Sequence, residues 1–238
     1  DRVRGADVLV VRDNIGGLYQ GRFGRRDGGR VAFQNATYRL ADVERLLAVA
    51  HRAAHRRRGR LAVVVKPGGI PAISALWRDA ADAVCGPGVE VEVIEVDNAC
   101  YQLVADPHRF DVVAAPNLLG DVVADTAALV LGSRGLSYSA NFGDGARSVY
   151  QTGHGAAHDL AGTDRANPIA QMRAAAWLVR DSLGRADVAA TIEAAIVATL
   201  ATGLRTPDIA APGSTVVGTA ELAARIADRA HAVAAAAS

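Results

Sequence analysis

The sequence predicts an α/β protein, because short apolar runs alternate with longer segments of helical periodicity. Half of the 238 residues are apolar, which is enough for one large core or two smaller ones. Several of the apolar runs end at a charged or polar residue, a pattern typical of sheets whose site lies at the carboxyl ends of the strands. The runs that predict buried strands are residues 7–12, 61–65, 89–96 and 110–115.

The first part of the chain combines a strand, a glycine-rich segment and a helix. Residues 7–12 predict a strand that ends at Arg12, and residues 18–37 predict two strands around a flexible loop, or an extended arm. The glycines here do not have the spacing of a dinucleotide-binding fingerprint. Residues 40–58 predict an amphipathic helix. Its arginine-rich end suits the negative end of a helix dipole, although the same run could form a nucleic-acid patch.

The middle of the chain predicts three more strands, each followed by polar or turn-forming residues. Residues 73–84 predict a helix between the first two of these strands, and another helix follows the third. Because the carboxyl ends of parallel strands meet at one edge of a sheet, we expect chemistry there. The residues at these three strand ends are Lys66, Asp97 and the pair Pro116-Asn117.

The last part of the chain predicts a loop region and three helices. Residues 132–162 are rich in Gly, Ser, Asn and His and show little periodicity, so they predict a long functional loop. The helices are predicted over residues 167–182, over residues 188–202 and from Thr219 onward. The sequence has no internal repeat.

The charge and cysteine content exclude several classes of protein. The formal net charge is only +1, so the overall electrostatics favour neither a nucleic acid nor an anionic membrane as a partner. Cys85 and Cys100 lie apart in no metal-binding spacing, which is typical of a reduced cytoplasmic protein. The sequence has no signal-peptide pattern and no apolar run long enough to cross a bilayer. We therefore expect a cytoplasmic protein.

Lys66 is the single lysine among 26 basic residues. Nucleotide bias in the source genome explains the abundance of arginine. Arginine keeps its proton at any ordinary pH, whereas a partly buried lysine can lose it. A lone lysine at a strand end therefore indicates either chance or a position that needs a titratable amine.

Two carboxylates on one predicted helix suggest a metal site. Asp121 and Asp125 are four residues apart, so both side chains face one way, and they repel each other unless a cation lies between them. Oxygen ligands favour Mg²⁺ or Mn²⁺ over zinc. The alternative is a pair of aspartates on a solvated helix face, and Asp97 could likewise be a turn residue.

His154 and His158 have the spacing of metal ligands on one helical turn. The glycines around His154 disfavour a helix there. The segment therefore predicts either a loop that cradles a ligand or a plain surface loop.

Two longer motifs carry a resemblance to a known family. They are NLLGDVVADTAALVLGSRGLSYSANFGD, which begins at Asn117, and HGAAHDLAGTDRANPIAQ, which begins at His154. Both closely resemble the metal-dependent β-decarboxylating dehydrogenases that act on isopropylmalate, isocitrate, homoisocitrate or tartrate. The match runs in colinear order from VVRDNIGGLY to RTPDIAAPGST and covers essentially the whole chain. It implies an isopropylmalate dehydrogenase-like two-domain fold.

The resemblance also implies a role for each strand-end residue. Arg12 would bind the substrate carboxylate, and Tyr19 would protonate the enol carbon after decarboxylation. Lys66, lent by the other subunit of the dimer, would relay the proton of the substrate hydroxyl, with its pKa lowered by desolvation and a nearby metal. The metal ligands would be Asp121 and Asp125 of one subunit and Asp97 of its partner, so a homodimer with shared sites is implied.

The second motif implies a nucleotide loop. His154, Gly155, Ala157 and Asn167 match positions that hold the adenosine of the cofactor. Asp159 would accept hydrogen bonds from the ribose hydroxyls and would repel a 2′-phosphate, which favours NAD over NADP.

The same resemblance implies a domain organisation. Residues 1–132 would form the catalytic and dimerisation domain, with an arm at residues 22–38 that pairs with the other subunit. Residues 133–238 would form the C-terminal part of the nucleotide-binding domain, and its N-terminal part is expected to be absent from this chain.

The sequence departs from the family pattern at the substrate side. The family usually has Lys-Ala-Asn where this chain has Lys66-Pro67-Gly68, and a Thr or Ser where this chain has Ile15. The expected activity is NAD- and metal-dependent oxidative decarboxylation of a malate-like 2-hydroxy acid with a 3-carboxylate. The alternatives are a specialised-pathway substrate for the same chemistry, or an inactive relative that serves as a partner or regulatory subunit.

Overall fold

The computed structural model describes residues 2–236 of the chain. These fall into two compact units, unit 1 (Asp1–Val130) and unit 2 (Leu131–Ser238). Both units combine helices with short strands, and the α/β class predicted from the sequence is confirmed. Among the described residues, no helix is both long and apolar enough to cross a membrane.

Unit 1 is built on a four-stranded parallel sheet. The sheet has the order β1-β6-β4-β5, and every neighbouring pair in it is parallel. A separate antiparallel hairpin, β2–β3, lies between β1 and the first helix along the chain. The strands of unit 1 are β1 (Leu9–Arg12), β2 (Phe23–Arg26), β3 (Val31–Gln34), β4 (Arg60–Val65), β5 (Glu90–Glu95) and β6 (Val112–Ala115).

Two helices cover each face of this sheet. Because alternate strand residues point to opposite faces, Val63 packs with the first pair of helices and Val64 with the second pair. Trp77 and Leu47 fill the first core, and Leu103 the second. The first pair is α1 (Leu40–His55) and α2 (Pro71–Val84), and the second pair is α3 (Val96–Ala105) and α4 (Asn117–Ala128).

The arginine-rich segment after α1 has a structural role. The Asp111 side chain is fully buried, and it accepts hydrogen bonds from Arg57 Nε at 2.7 Å and from the Arg58 backbone N–H at 2.7 Å. Arg57 and Arg58 also donate to the Asp7 carbonyl oxygen at 3.0 and 2.9 Å. Because α1 ends at His55, these two arginines lie just beyond its carboxyl end, where a positive charge still suits the helix dipole, and they also bind Asp111 and Asp7.

The β2–β3 hairpin agrees with the two strands predicted in residues 18–37. Phe23 is opposite Gln34, and Arg26 is opposite Val31. Arg26 lies over the ring of Phe33, with 4.8 Å between the guanidinium carbon and the ring centroid. The pairing of this hairpin with another subunit stays a prediction.

Unit 2 consists of a hairpin, three helices and two short paired strands, and the hairpin packs on the first of these helices. Ile169, Ile196, Leu222 and Ile226 form its core. The elements of unit 2 are β7 (Tyr138–Phe142), β8 (Ser148–Thr152), α5 (Ile169–Asp181), α6 (Ala186–Ala201), β9 (Leu204–Arg205), β10 (Thr215–Val216) and α7 (Thr219–Ala236).

Residues 132–162 are not one long loop, because β7 and β8 form an antiparallel hairpin within them. The ring of Tyr138 packs on that of Trp177 in α5, with 5.7 Å between the centroids, and within the hairpin the ring centroids of Phe142 and Tyr150 are 5.8 Å apart. Edge-to-face contacts of this kind stabilise a hairpin whose strands are too short and polar to be recognised by alternation.

Candidate active site

The carboxyl edge of the unit 1 sheet holds most of the sequence-predicted site residues. Arg12 is the last residue of β1, and Lys66 directly follows β4. Asp97 lies in the first turn of α3, which begins where β5 ends, and Asp121 is on α4, which follows β6. Parallel strands therefore bring together chain segments that lie far apart in the sequence.

Asp121 is bound by both Arg12 and Tyr19. Arg12 Nη1 lies 2.6 Å from Asp121 Oδ1, and the Tyr19 hydroxyl donates to Asp121 Oδ2 at 2.9 Å. The guanidinium carbon of Arg12 is 5.7 Å from the centroid of the Tyr19 ring. The proposed substrate-binding, proton-donating and metal-binding side chains thus lie in one cluster, which we call the Asp121 cluster.

Asn117 orients Arg12 within this cluster. Arg12 Nε donates to the Asn117 carbonyl oxygen at 3.0 Å, and Arg12 Nη2 donates to Asn117 Oδ1 at 3.1 Å. The side-chain amide of Asn117 donates in turn to the Gly16 carbonyl oxygen at 2.9 Å. The sequence placed Asn117 at a strand end but gave it no role, because its partner Arg12 is more than a hundred residues away.

Two glycines permit this close packing. A Cβ atom on Gly120 of α4 would lie 2.8 Å from Cγ of Arg12, and one on Gly17 would lie 2.1 Å from the Tyr38 hydroxyl oxygen. Gly17 also has a φ of 81°, which side chains other than glycine rarely adopt. A larger residue at position 120 would therefore require Arg12 or α4 to shift.

The two tyrosines near the cluster stay protonated at neutral pH. The hydrogen bond to Asp121 raises the pKa of Tyr19 above its ordinary value, because losing the proton would place two negative oxygens together. Burial raises the pKa of Tyr38 to about 12. Tyr38 accepts a hydrogen bond from the Asn117 backbone N–H at 2.9 Å, so it supports the start of α4.

Lys66 forms a second cluster with two carboxylates. Its Nζ atom lies 2.9 Å from Glu95 Oε2 and 3.0 Å from Asp97 Oδ2. The sequence predicted Lys66 and Asp97 as site residues but not Glu95. Apolar and charged residues alternate along β5, so Glu95 was read as an ordinary exposed strand residue. We call this group the Lys66 cluster.

The contacts of Lys66 set the direction of its pKa in the single chain. Hydrogen bonds to Glu95 and then to Asp97 raise the pKa of Lys66 above its ordinary value, and the lowered pKa expected beside a metal stays a prediction. The hydrogen bond from Lys66 also lowers the pKa of Asp97. Both carboxylates favour the ammonium form, and in this state they outweigh the desolvation that was expected to disfavour it.

The predicted metal ligands do not meet within one chain. Among residues 2–236, no group of three or more His, Cys, Asp or Glu side chains is arranged to hold a metal ion. Asp121 and Asp125 lie on α4, and Asp97 lies in the separate Lys66 cluster. The α4 carboxylates are oxygen ligands of the kind that Mg²⁺ and Mn²⁺ prefer, and Asp125 is exposed, so the residues present fit a hard divalent cation that also takes a ligand from elsewhere.

In unit 2, the predicted nucleotide residues occupy an exposed segment after β8. Ala157 has a φ of 45°, which turns the chain into a short 3-10 helix that contains Asp159. His154 Nδ1 lies 2.7 Å from the Gly155 carbonyl oxygen. A Cβ on Gly155 would meet no atom within 4 Å, so the backbone there is open to approach. An accessible backbone beside an exposed carboxylate fits a ribose diol.

Asn167 forms its hydrogen bonds with Asp208 and with the start of α5. Its Nδ2 donates to Asp208 Oδ2 at 3.1 Å, and its Oδ1 accepts from the Ile169 N–H at 3.0 Å at the start of α5. Ser133 also donates to Asp208. Burial acts to raise the pKa of Asp208, but hydrogen bonds from Ser133 and other neighbours hold that pKa below its ordinary value. Asp208 was not predicted, although it lies in the RTPDIAAPGST motif.

The fold and the strand-end clusters define an α/β protein with a candidate active site at the carboxyl edge of a parallel sheet. A sequence model of the isocitrate/isopropylmalate dehydrogenase family matches residues 1–226, and the chain belongs to this family.

Individual relatives support the same assignment. The chain is 41% identical over 222 residues to a 3-isopropylmalate dehydrogenase of Gloeobacter violaceus, covering 91% of this chain and 61% of the relative. It is 42% identical to a 3-isopropylmalate dehydrogenase of Synechococcus sp. (strain CC9605), covering 91% of this chain and 62% of the relative. The chain thus spans about three fifths of the length of these curated relatives.

A solved structure matches the fold. The crystal structure of isocitrate dehydrogenase from Methylococcus capsulatus superposes with a TM-score of 0.87 at 32% identity. The match covers 93% of this chain and 66% of that structure. The isopropylmalate dehydrogenase-like fold expected from the motifs is therefore confirmed for the part of the family fold that this chain spans.

Proposed function

We propose that the protein is an NAD- and divalent-metal-dependent dehydrogenase that oxidises and decarboxylates a malate-like 2-hydroxy acid with a 3-carboxylate. The observation that carries this proposal is the convergence of Arg12 and Tyr19 on Asp121. A cationic carboxylate binder, a proton donor and a metal ligand then share one small site. Family membership supports the same class of reaction.

Arg12 binds and orients the substrate in this proposal. A guanidinium is planar and can donate two parallel hydrogen bonds to a carboxylate. Asn117 fixes the plane of the guanidinium through two acceptors, so Arg12 keeps its orientation when a substrate carboxylate replaces Asp121. Such prior orientation lowers the entropic cost of forming the reactive complex.

The proton and electron transfers balance as follows. When bound, NAD would accept the C2 hydrogen as hydride. Lys66 would take the hydroxyl proton as the neutral amine that remains after its ammonium has released a proton to solvent, and would then relay that proton toward solvent. The bond between C3 and its carboxylate breaks, CO₂ leaves, and Tyr19 donates a proton to C3. Tyr19 holds that proton at neutral pH because Asp121 raises the pKa of its hydroxyl.

Asp121 and Asp125 of one subunit and Asp97 of a second subunit would hold Mg²⁺ or Mn²⁺. When bound, this cation supplies Lewis acidity, which eases loss of the hydroxyl proton and stabilises negative charge on the C2 oxygen. The division of the carboxylates between two clusters supports a homodimer in which each site uses residues of both chains.

His154, Gly155, Ala157, Asp159 and Asn167 would bind the adenosine part of NAD. The exposed Asp159 carboxylate supports NAD over NADP, because a 2′-phosphate would be repelled there. Asn167 would act from the start of α5, where Asp208 orients its amide. We further propose that the protein is cytoplasmic and acts on a small molecule, with no nucleic acid or membrane partner.

The alternative function is an inactive relative that serves as a partner or regulatory subunit. The observation that favours it is Gly68, where the family usually has asparagine. The retention of Arg12, Tyr19, Lys66 and the three aspartates favours an active enzyme.

The test is NADH formation by the full-length protein with Mg²⁺ or Mn²⁺ and a panel of malate, tartrate, isocitrate, homoisocitrate and isopropylmalate. The controls are chelation of the metal, the Lys66→Met variant, and Asp79→Asn, which removes an exposed carboxylate on α2. Metal-dependent NADH formation that is lost with Lys66→Met and kept with Asp79→Asn supports the proposal. Binding of neither Mn²⁺ nor NAD would support the inactive alternative.

A further inference from the structure

The Lys66 ammonium is shared between two carboxylates that come from different elements, strand β5 and helix α3. Glu95 is the last residue of β5, and its backbone is paired in register with Val65, the residue before Lys66. Asp97 lies two residues later, in the first turn of α3. The contacts from Lys66 Nζ are almost equal in length, 2.9 Å to Glu95 and 3.0 Å to Asp97.

The two carboxylates differ in how firmly they are held and how accessible they are. The Glu95 backbone is fixed by the strand ladder beside Lys66, and its side chain is 47% exposed. The Asp97 side chain is 69% exposed, and it extends from the end of a helix. Asp97 is therefore the carboxylate that can turn to another cation at the lower cost.

The charges in the cluster favour such an exchange. Two carboxylates oppose one ammonium, so Lys66 stays neutralised by one partner when the other leaves. Among the described residues, Glu95 and Asp97 are the acidic side chains within ion-pair distance of Lys66. Without Glu95, any cation that binds Asp97 would have to compete with Lys66 for its last carboxylate.

We propose that Glu95 is a positioning residue that retains the Lys66 ammonium while Asp97 leaves it to bind the divalent cation. This inference rests on the proposed function, which makes Lys66 the proton relay and Asp97 a metal ligand. Glu95 acts through Lys66 in two ways: it makes Asp97 available, and it keeps the amine beside the same strand end during the reaction.

The role through Lys66 can be separated from a simple effect of charge. If Glu95 only adds negative potential near the metal, its removal weakens metal binding whether or not Lys66 is present. If Glu95 acts by retaining Lys66, its removal weakens metal binding only when Lys66 is there to compete for Asp97. A double-mutant cycle over these two residues measures that difference.

The experiment measures Mn²⁺ dissociation constants, together with kcat and KM, for the full-length protein. The variants are Glu95→Ala, Glu95→Gln, Lys66→Met and the double variant Glu95→Ala/Lys66→Met. Glu90→Ala is the matched control, because Glu90 is an exposed glutamate at the opposite end of the same strand. Circular dichroism confirms that each variant is folded.

We expect Glu95→Ala to weaken Mn²⁺ binding about fivefold in the wild-type background, in keeping with one partly exposed ion pair, and to leave it unchanged in the Lys66→Met background. We expect Glu95→Gln to retain more of kcat than Glu95→Ala, since the amide oxygen still accepts from Lys66. Glu90→Ala leaves both quantities unchanged.

Two outcomes distinguish a failure of the role proposed for Glu95 from a failure of the proposed function. If the wild-type protein binds Mn²⁺ but Glu95→Ala weakens binding equally in both backgrounds, or in neither, then the role of Glu95 is wrong and the proposed function stands. If the wild-type protein binds no Mn²⁺ and forms no NADH, the proposed function fails, and the inference fails with it.

Discussion

Arg12 Nη1 lies 2.6 Å from Asp121 Oδ1, so the side chain proposed to bind the substrate forms an ion pair with a carboxylate proposed to bind the metal. The Tyr19 hydroxyl occupies the other oxygen of the same carboxylate at 2.9 Å. If Asp121 binds the divalent cation as proposed, Arg12 and that cation compete for the same carboxylate. Binding of the cation would release Arg12 for the substrate, so the two binding events are coupled.

The first prediction follows from this competition. Arg12→Gln removes the competing charge, so we expect it to tighten Mn²⁺ binding without substrate by about threefold, the size of one partly exposed ion pair. The same change should raise the KM for substrate, because the carboxylate binder is lost. Titration calorimetry with Mn²⁺ and steady-state kinetics give the two quantities. Weaker Mn²⁺ binding by Arg12→Gln would show that Arg12 supports the metal site instead of competing with it.

The second prediction concerns Tyr19. Tyr19→Phe removes one hydroxyl and keeps the ring, so the contact with Arg12 is retained. We expect kcat to fall about 10²-fold with little change in KM, because the loss affects proton donation in the transition state. Tyr101→Phe is the control, since Tyr101 is 69% exposed on α3. Unchanged kcat in Tyr19→Phe would remove Tyr19 from the reaction.

The third prediction tests the close packing of α4 on β1. Gly120→Ala adds a methyl group 2.8 Å from Cγ of Arg12, so one of the two must move. We expect a KM for substrate raised about tenfold, since small displacements of a positioned group are costly, while the helix remains folded. Ala124→Ser, one turn further along α4, is the control. Normal kinetics in Gly120→Ala would mean that the orientation of Arg12 is not needed.

Much of this site could be predicted because the carboxyl ends of parallel strands lie at the same edge of a sheet. Arg12, Lys66 and Asp97 each follow an apolar run, and that pattern alone placed them at one edge. Glu95 was missed because it belongs to the alternating run itself, and only the register of β5 with β4 brings it to Lys66. The partner of a strand-end residue depends on strand order, which the sequence does not state.

Two fold elements were missed, one for a local reason and one because distant contacts stabilise it. Helix α3 begins directly after β5, without a turn between them. The few apolar residues that mark the helix, Val96, Ala99 and Leu103, were therefore not distinguished from the alternating pattern of the strand. The β7–β8 hairpin is stabilised by aromatic contacts with Trp177, a residue outside the segment. Contacts between distant segments decide both the hairpin and the binding of Arg57 to Asp111.

The fourth prediction concerns the choice of cofactor. Asp159→Asn removes the carboxylate that would accept from the ribose hydroxyls and repel a 2′-phosphate, so the preference for NAD over NADP should fall about tenfold. The ratio of kcat/KM for the two cofactors measures this preference. Asp228→Asn, at an exposed position of α7, should leave the ratio unchanged. An unchanged ratio in Asp159→Asn would place the ribose contact elsewhere.

The fifth prediction concerns stability and pH. Burial acts to raise the pKa of Asp111, but hydrogen bonds from Arg57, Arg58 and Arg60 outweigh it and hold that pKa below its ordinary value of 3.8. A carboxylate with a lowered pKa in the folded state stabilises the fold fully above its unfolded pKa of about 4, and this stabilisation is lost as the pH falls through the folded pKa. Acid should therefore destabilise unit 1 partly through Asp111.

Asp111→Asn tests this directly. The amide has one acceptor oxygen in place of two, so at least one of the three donors from Arg57, Arg58 and Arg60 loses its acceptor. We therefore expect a loss of about 2 kcal/mol in the free energy of unfolding at neutral pH. The loss should shrink as the pH falls below about 4 toward the folded pKa, because the carboxyl group is protonated first in the unfolded state and then in the folded protein. Urea unfolding across this pH range measures both effects, and Asp79→Asn controls for removal of a surface charge. A constant difference between Asp111→Asn and wild type at every pH would mean that the contribution of Asp111 does not depend on its charge.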